Sequence, residues 1–291
     1  VSDAPVDCSI VVVHFHAERQ LACCLESLAA GCRELRHETI VIDNSRTIDA
    51  AEVMRRHDDA RVIANERNVG FAQAANQGID KAVGRNVLLL NPDATTHAGA
   101  VTRLVRYLDR HQDVGAVGPR LLDPDGSLQY SCRRFPGLFS VFFGRYAFLT
   151  KLLPRNPGSR RYLYSDWDHG SARDVDWLSG ACLLMSRRAL DVVGPLDARF
   201  FLFVEDMDWC RRARDAGMRV VYLPDAVVTH EIGVSRETRS PHAIWARHRS
   251  MWIYFRKHFR RGPVLSSFVY LGLALRALLL ISSAALKGAP R

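Results

Sequence analysis

The stretch from Val87 to Asp93, Val-Leu-Leu-Leu-Asn-Pro-Asp, constrains the fold of this chain more than any other. Four consecutive apolar residues bounded by turn formers predict a strand buried on both faces, of the kind found inside a parallel sheet. Pro92 has no N–H to give to a sheet ladder, so the strand stops there. Asp93 is thereby delivered to the carboxyl edge of the sheet, where open α/β folds bind their ligands. There it is either an oxygen ligand for a divalent metal that holds a nucleotide diphosphate, or a cap for a helix starting near Thr95.

The segments around it alternate. Runs rich in β-branched residues predict strands over 8–15, 39–43 and 61–65, besides 87–91, and helical spacing of apolar residues predicts helices over 17–30, 48–57 and 70–83. Alternation at these lengths implies right-handed βαβ units and a doubly wound sheet, so residues from about 8 to 120 read as a nucleotide-binding half. A helix over 100–110, a strand over 114–119 and a tight turn at 123–126 follow. Beyond them a strand over 177–185, entered through a polar corner at Gly180, and strands over 219–223 and 227–230 complete a second half spanning 121–235.

With 291 residues, 48% of them hydrophobic, the chain buries a large core and is not disordered. A formal net charge of +9 favours an anionic partner, whether nucleic acid, phosphorylated substrate or acidic membrane face, and charge alone does not choose among these. Seven cysteines with no C-x-x-C pair predict buried thiols in a reducing compartment. A polar start without a secretory pattern predicts a protein kept on the cytosolic side.

Several residues sit where chemistry is done. Asp43, followed by Asn44, ends a strand, where a carboxylate accepts from a base N–H or ribose hydroxyls, or simply closes a turn. The run Asn68-Val69-Gly70-Phe71 opens a helix whose unpaired N–H groups suit phosphate or sugar oxygens. Gly180 allows close approach of a ligand to the backbone. Glu205, Asp206 and Asp208 open a helix directly after the aromatic run 200–203, and acids beside aromatic walls titrate high, as a general base near neutrality requires. The competing reading is a helix whose first turn is acidic for dipole reasons. His230 ends an apolar strand ahead of Gly233 and Ser235, a better metal or phosphate candidate than most histidines.

The C-terminal segment, 236–291, is of another kind. From Arg236 to Arg261 eight Lys or Arg face one acid, with Trp245, Trp252, Phe255 and Phe259 at helical steps. Val264 to Leu286 is apolar for 23 residues except for Arg276, long enough to cross a bilayer. The charge near its middle favours an in-plane interfacial helix or an oligomer contact over a span. The basic cluster 256–261 suits anionic lipid headgroups, and an aromatic stretch over 138–157 reads as an amphipathic helix or lid, or as a packed core helix.

The ordered set Asp43-Asn44, Asn68-x-Gly70-Phe71, Asn91-Pro92-Asp93, Trp177-Leu178-Ser179-Gly180, Phe203-Val204-Glu205-Asp206-x-Asp208 and His230 resembles the family 2 glycosyltransferases over roughly residues 8–258. It is most similar to their rhamnosyltransferase branch, which acts on lipid-linked acceptors in bacterial envelope assembly. The resemblance implies an α/β, glycosyltransferase A-type fold with a mixed central sheet, a catalytic domain over 1–235 and a helical extension over 236–291. It implies an inverting transferase using Mg²⁺ or Mn²⁺ and a nucleoside diphosphate sugar, with dTDP-rhamnose the first choice. The acceptor is then a polyprenyl-linked glycan, on the cytoplasmic face of the inner membrane, with the protein peripheral, a homo-oligomer possible and no nucleic acid bound.

By position, Asp43, Asn44, Asn68, Gly70, Phe71, Asn91 and Gly180 correspond to donor-binding residues. Asp93 and His230 correspond to the metal site, and Asp206 to the general base with Glu205 as the adjacent alternative. Asn91 stands where many relatives carry the first acid of a D-x-D motif, and His16 where many carry asparagine. The competing readings are a catalytically silent membrane- or nucleic-acid-binding module with the same fold, and a sugar nucleotidyltransferase. The latter wants a glycine-rich loop after the first strand, and Phe15-His16-Ala17-Glu18-Arg19 has no glycine.

Overall fold

The computed structural model describes residues 5–137, 157–231, 240–259 and 262–286. Its frame is a ten-stranded mixed sheet. Strands β1 (Cys8–His14), β2 (His37–Asp43), β3 (Ala60–Ala64) and β4 (Asn86–Leu90) run parallel in the order β3-β2-β1-β4. They are linked through α1 (Glu18–Gly31), α2 (Ala50–Arg56) and α3 (Phe71–Lys81). Chain direction across the sheet reverses between β1 and β4, which makes their carboxyl ends the switch-point crevice where such sheets bind ligands.

The second half differs from a simple doubly wound continuation. After β5 (Ala94–Thr96), α4 (Ala100–Arg110), β6 (Val114–Leu122), β7 (Leu128–Gln129), β8 (Cys132–Arg133), α5 (Pro157–Leu163), β9 (Arg173–Asp174) and β10 (Trp177–Leu178), the chain enters β11 (Cys182–Ser186). This strand inserts antiparallel between β4 and β6. After α6 (Arg187–Val193) and α7 (Glu205–Asp215), β12 (Arg219–His230) lies parallel to β6 and antiparallel to β5.

Three expectations are revised. Residues 94–96 form an edge strand against β12, so Asp93 does not cap a helix; helix α4 starts at Ala100. The single strand expected over 177–185 is two, because Ser179-Gly180-Ala181 turns between sheets. The two strands expected after residue 219 are one, whose register shifts between Leu223 and Val227 absorb Pro224 as a bulge. The amphipathic stretch predicted over 138–157 lies outside the described residues except at its last position, as do Gly233 and Ser235.

Both sheet faces are covered, which is why the central strands are continuously apolar rather than alternating. Val11, Ile40, Leu89 and Met185 point into one core with α3, α6 and α7; Ile10, Val41, Leu90 and Leu184 point into the other with α1 and α4. Helices α8 (Pro241–His258) and α9 (Pro263–Leu286) then pack on the α7 side. Ser240 starts α8, its hydroxyl accepting from the Ala243 N–H at 3.1 Å with Pro241 in the first turn.

The join between α7 and α8 is ionic. Asp208, fully buried, accepts from Arg212 Nε at 3.0 Å, Lys257 Nζ at 2.9 Å and His258 Nε2 at 2.8 Å. Lys257 also reaches Asp197 at 2.8 Å. Burial alone pushes the Asp208 carboxyl up, but the bonds from His258 and Lys257 and the charges of Lys257 and Arg212 hold it below its ordinary value. A carboxyl depressed in the folded state stabilises at any pH above its unfolded value of about 3.9, and that stability drains as pH falls through the folded value.

Asp208→Ala leaves Lys257 and His258 without their shared acceptor and is expected to cost about 3–5 kcal/mol, the usual penalty for halving a buried ion pair. Urea denaturation at pH 7 measures it, and the deficit against the parent should shrink on titrating toward pH 3.

Candidate active site

The crevice is assembled from three strand ends and one helix start. Ala94 lies opposite His230 in the β5–β12 register, and the Glu231 N–H donates to the Asp93 carbonyl at 3.0 Å, so His230 is held beside Asp93. Cys182 lies opposite Leu90, which brings the 179–181 turn against the end of β4, where the Asn91 N–H donates to the Ala181 carbonyl at 2.9 Å. The Gly180 N–H in turn donates to Asp206 Oδ2 at 2.8 Å. Asp206 and Asp93, distant in the chain, are joined through residues 180, 181 and 91.

On the Asp93 side the hydrogen bonds settle the state of the histidine. Gln129 Nε2 donates to Asp123 Oδ1 at 2.8 Å and to the His230 carbonyl at 3.1 Å, so Gln129 Oε1, 2.8 Å from His230 Nδ1, accepts the imidazole proton. Nε2 then carries the lone pair. It faces Asn91 Nδ2 at 3.3 Å and Asp93 Oδ1 at 3.1 Å, and that carboxylate oxygen, though buried, has no hydrogen-bond partner. Two electron-rich atoms directed at one another want a cation, or a proton, between them. No cluster of three or more His, Cys, Asp or Glu stands ready for a metal among the described residues. The donor set therefore fits a hard cation that completes its shell with phosphate oxygens and water, and does not fit an all-protein cage.

The acid side is delivered by a strained turn. Phe203 and Val204 both have positive φ, 66° and 75°, a conformation that is unusual for any side-chain-bearing residue and most of all for a β-branched one. Such a turn persists only when its surroundings over-determine it. Here the Ser250 hydroxyl of α8 donates to the Leu202 carbonyl at 3.0 Å, the Arg247 guanidinium lies 4.3 Å over the Phe203 ring, and the Asp208 N–H closes the first turn of α7 on the Val204 carbonyl at 2.9 Å.

Glu205 and Asp206 follow immediately, and their environments differ. Burial, and then the Asp206 charge, push the Glu205 carboxyl well above its ordinary value, and its Oε2 has no partner. Burial also raises Asp206, but the N–H groups of Gly180 and Met207, at 2.8 and 2.7 Å, pull back. Of two adjacent carboxyls, the one with two N–H donors ionises first. Asp206 is accordingly the first of the two to give up its proton as pH rises.

Phe71, Asn91, Gly180, Glu205, Asp206 and His230 line one cavity of about 610 Å³. Asp93 is not among the residues that line it, but lies 3.1 Å from His230, which is. Asp43, Asn44, Asn68 and Gly70 are not among its lining residues. Asp43 Oδ1 accepts from Ser45 N, Ser45 Oγ and Arg46 N, each at 2.9 Å, and Oδ2 from Ile48 N at 3.1 Å, so this carboxylate folds the 44–48 loop. Burial opposes its ionisation, but those donors hold it below its ordinary value. Asn44 is buried, accepting from Asn65 Nδ2 at 2.8 Å and donating to the Gly70 carbonyl at 3.3 Å. Asn68 Oδ1 accepts from the Gly70 N–H at 2.9 Å.

Gly70 has φ +87°, and a Cβ on it would meet the Phe201 carbonyl oxygen at 2.6 Å, so close packing against the turn before α7 requires glycine. The sequence reading missed Gln129, Arg247, and Arg133, which lines the cavity and whose charge acts on Asp206. A glutamine on a two-residue strand carries no signal of its own, and the two arginines are visible only as members of a basic chain.

Residues 5–262 match the family described as "Glycosyltransferase like family 2". An N-acetylglucosaminyl-diphospho-decaprenol L-rhamnosyltransferase of Mycobacterium tuberculosis is 32% identical over 251 residues, covering 82% of this chain and 79% of the relative. Rhamnosyltransferase WbbL of Escherichia coli K12 is 26% identical, covering 90% of this chain and 91% of its own. Among solved structures, a mannosyltransferase from Pyrobaculum calidifontis in complex with GDP-Man and Mn²⁺ superposes with a TM-score of 0.58 at 18% identity, covering 99% of this chain and 76% of that one.

In the full-length chain labelled with ¹³C at aspartate carboxyls, one aspartate should titrate above the ordinary value of about 3.9 and vanish from the spectrum in Asp206→Asn. Finding every aspartate at or below that value would remove the basis for assigning Asp206 a raised pKa.

Proposed function

The chain belongs to the family 2 glycosyltransferases and has their A-type fold, and from that membership we propose that it moves a single sugar, with inversion, from a nucleoside diphosphate donor to a lipid-linked acceptor. The donor is dTDP-rhamnose, and the acceptor a polyprenyl diphosphate-linked glycan met at the cytoplasmic face of the membrane. The rhamnosyltransferase relatives support this choice, one of them named for a diphospho-decaprenol acceptor. The observation that carries the catalytic part is the bridge from Asp206 through Gly180 and Ala181 to Asn91, which ties the acid to the strand end that leads into Asp93, in a cavity that His230 also lines.

Asp206 is the general base. Its Oδ2 is oriented by the Gly180 N–H, and its raised pKa lets it take the proton of an acceptor hydroxyl as that oxygen bonds to the anomeric carbon. The bond from that carbon to the diphosphate breaks on the opposite face, and the nucleoside diphosphate leaves with the bonding pair. Asp93 and His230 would hold Mg²⁺ or Mn²⁺, the latter being the ion named with the Pyrobaculum neighbour. When bound, the ion supplies positive charge against the leaving diphosphate. Gln129 keeps the His230 lone pair aimed at that position by holding the proton on Nδ1. Asp43, by ordering the 44–48 loop, shapes the floor for base and ribose.

The C-terminal helices are the membrane-facing part. Helix α9 is long and apolar enough to span, and Phe268, Leu271, Leu275 and Leu279 on its outer face are largely exposed, while Leu273 and Ala277 are buried against the protein. One face on protein and one apolar face outward fit a helix lying in the membrane surface.

Asp206→Asn should lower transfer by about 10²- to 10⁴-fold, the usual contribution of a general base, while Mn²⁺-dependent binding of dTDP stays within a few-fold of the parent. Surviving transfer would reassign the base. Gln129→Leu is expected to weaken Mn²⁺ binding in the presence of dTDP by about 10- to 100-fold, read by calorimetry. A panel of nucleotide sugars scored by thermal stabilisation should single out dTDP-rhamnose, and a flat panel in Mg²⁺ and Mn²⁺ would count against the donor site itself.

A further inference from the structure

Strand β8 brings one more side chain to the cavity. Arg133 lines it and sits opposite Trp177 of β10, while the next pair, Cys132 and Leu178, is buried, as alternation along a strand requires. The Trp177 indole is fixed by its N–H, which donates to the Arg134 carbonyl at 3.0 Å, and the Arg133 guanidinium lies 4.8 Å over that ring. Among the described residues the guanidinium donates no hydrogen bond and has no carboxylate within ion-pair distance. Stacking holds a guanidinium by its face and leaves the N–H groups at its edge for other acceptors. Asp206 is close enough to feel the charge, but its oxygens are taken by the N–H groups of Gly180 and Met207. The anion that suits Arg133 therefore comes from a ligand.

Two ligands of the proposed reaction bring negative charge, the diphosphate of the donor and that of the acceptor. The segment from 129 to 133 separates them. Gln129 meets His230 at 2.8 Å, the Ser131 carbonyl accepts from the Ser179 N–H at 2.8 Å, and Arg133 lies opposite Trp177. Ser179 precedes Gly180, whose N–H holds Asp206. In steps of two residues the segment leads from the histidine of the candidate metal pair, past the turn that orients the base, to the guanidinium. The donor diphosphate belongs at the first end, which leaves the other end for the anion of the acceptor.

We infer that Arg133 binds the phosphate on the anomeric carbon of the acceptor sugar and so fixes that sugar between its phosphate and Asp206. The inference deepens the acceptor assignment above and rests on it. A seated phosphate also acts on the base. The Arg133 charge is one of the groups that pull the Asp206 carboxyl down against burial. An anion on the guanidinium offsets that pull, so the base strengthens once the acceptor is in place.

The test is calorimetry on the full chain in EDTA, so that no divalent ion draws phosphate to Asp93 and His230. The probes are the 1-phosphates of N-acetylglucosamine, glucose and galactose, the matching methyl glycosides, and inorganic phosphate. At least one sugar 1-phosphate is expected to bind about tenfold or more tightly than its methyl glycoside and than inorganic phosphate. Arg133→Gln should weaken it by about tenfold or more and Arg133→Lys by about threefold, while dTDP with Mn²⁺ still binds both variants as it binds the parent. In ¹³C spectra of the parent, the Asp206 titration should move upward on saturation with that sugar 1-phosphate. In Arg133→Gln it should start higher, and the same concentration of probe should no longer move it. An arginine with only a structural role would not couple probe to titration. Should Arg133→Gln fail to fold, the weaker binding by Arg133→Lys decides. Equal binding of the methyl glycoside, unchanged affinity in the arginine variants, or an Asp206 titration indifferent to the probe would each overturn the inference. If every sugar 1-phosphate fails to bind while dTDP with Mn²⁺ still binds, only this site is lost; if dTDP also fails, the transferase reading above falls with it.

Discussion

The antiparallel insertion of β11 between β4 and β6 is the constraint on which the site depends. It places the amino end of β11 at the carboxyl end of β4, so the turn at 179–181 meets Asn91 and offers an N–H to Asp206. Had β11 run parallel to its neighbours, that turn would lie at the opposite edge of the sheet, and the acid of α7 would have no donor. The β5–β12 pairing acts the same way on the other side, because its register leaves His230 no position except beside Asp93. Site geometry here is a matter of strand direction and register, which hydrogen-bond ladders specify far more rigidly than loops do.

Around that frame, buried charge is used in two contrasting ways. Asp208 is surrounded by Arg212, Lys257 and His258 and serves as a staple, fastening the carboxyl end of α8 to the amino end of α7. Three and two residues earlier on the same helix, Glu205 and Asp206 are buried with no cation bonded to them among the described residues, and their carboxyls are pushed above their ordinary values. The staple lets the other pair exist. A strained turn carrying two desolvated acids needs its surroundings held firmly, and α8 does so through Ser250, Arg247 and Lys257. Removing α8 would therefore disturb the acids as well as the cavity wall it helps to form. The C-terminal helices are part of that wall.

The parallel half was legible in the sequence nearly residue by residue. Short runs rich in β-branched and apolar residues, in alternation with helical spacing, admit little besides buried strands, and helix α4 is bounded as expected at Ala100 and Arg110. The second half was harder to read because its irregularities are tertiary. Nothing local at Trp177–Met185 announces a change of sheet at Gly180, and nothing at Pro224 distinguishes a bulge from a break. The polar residues show the same division. Asp43, Asn44, Asn68 and Gly70 stood out as chemically able, and each is committed to shaping a loop. Gln129, which sets the tautomer of His230, was silent because its significance is a contact across 101 residues.

By itself the sequence determined which side chains are available and which strand end each one leaves from. Hydrophobic periodicity decides strand or helix, and a proline or glycine decides where it ends. The tertiary structure alone decided which of those ends meet. Only antiparallel insertion brings residues 91, 180 and 206 together, and only the N–H that Gly180 then offers to Asp206 helps to separate its behaviour from that of Glu205. The physical reason is common to both. Desolvation and hydrogen-bond geometry depend on distance in space, and a linear order of residues does not contain that distance.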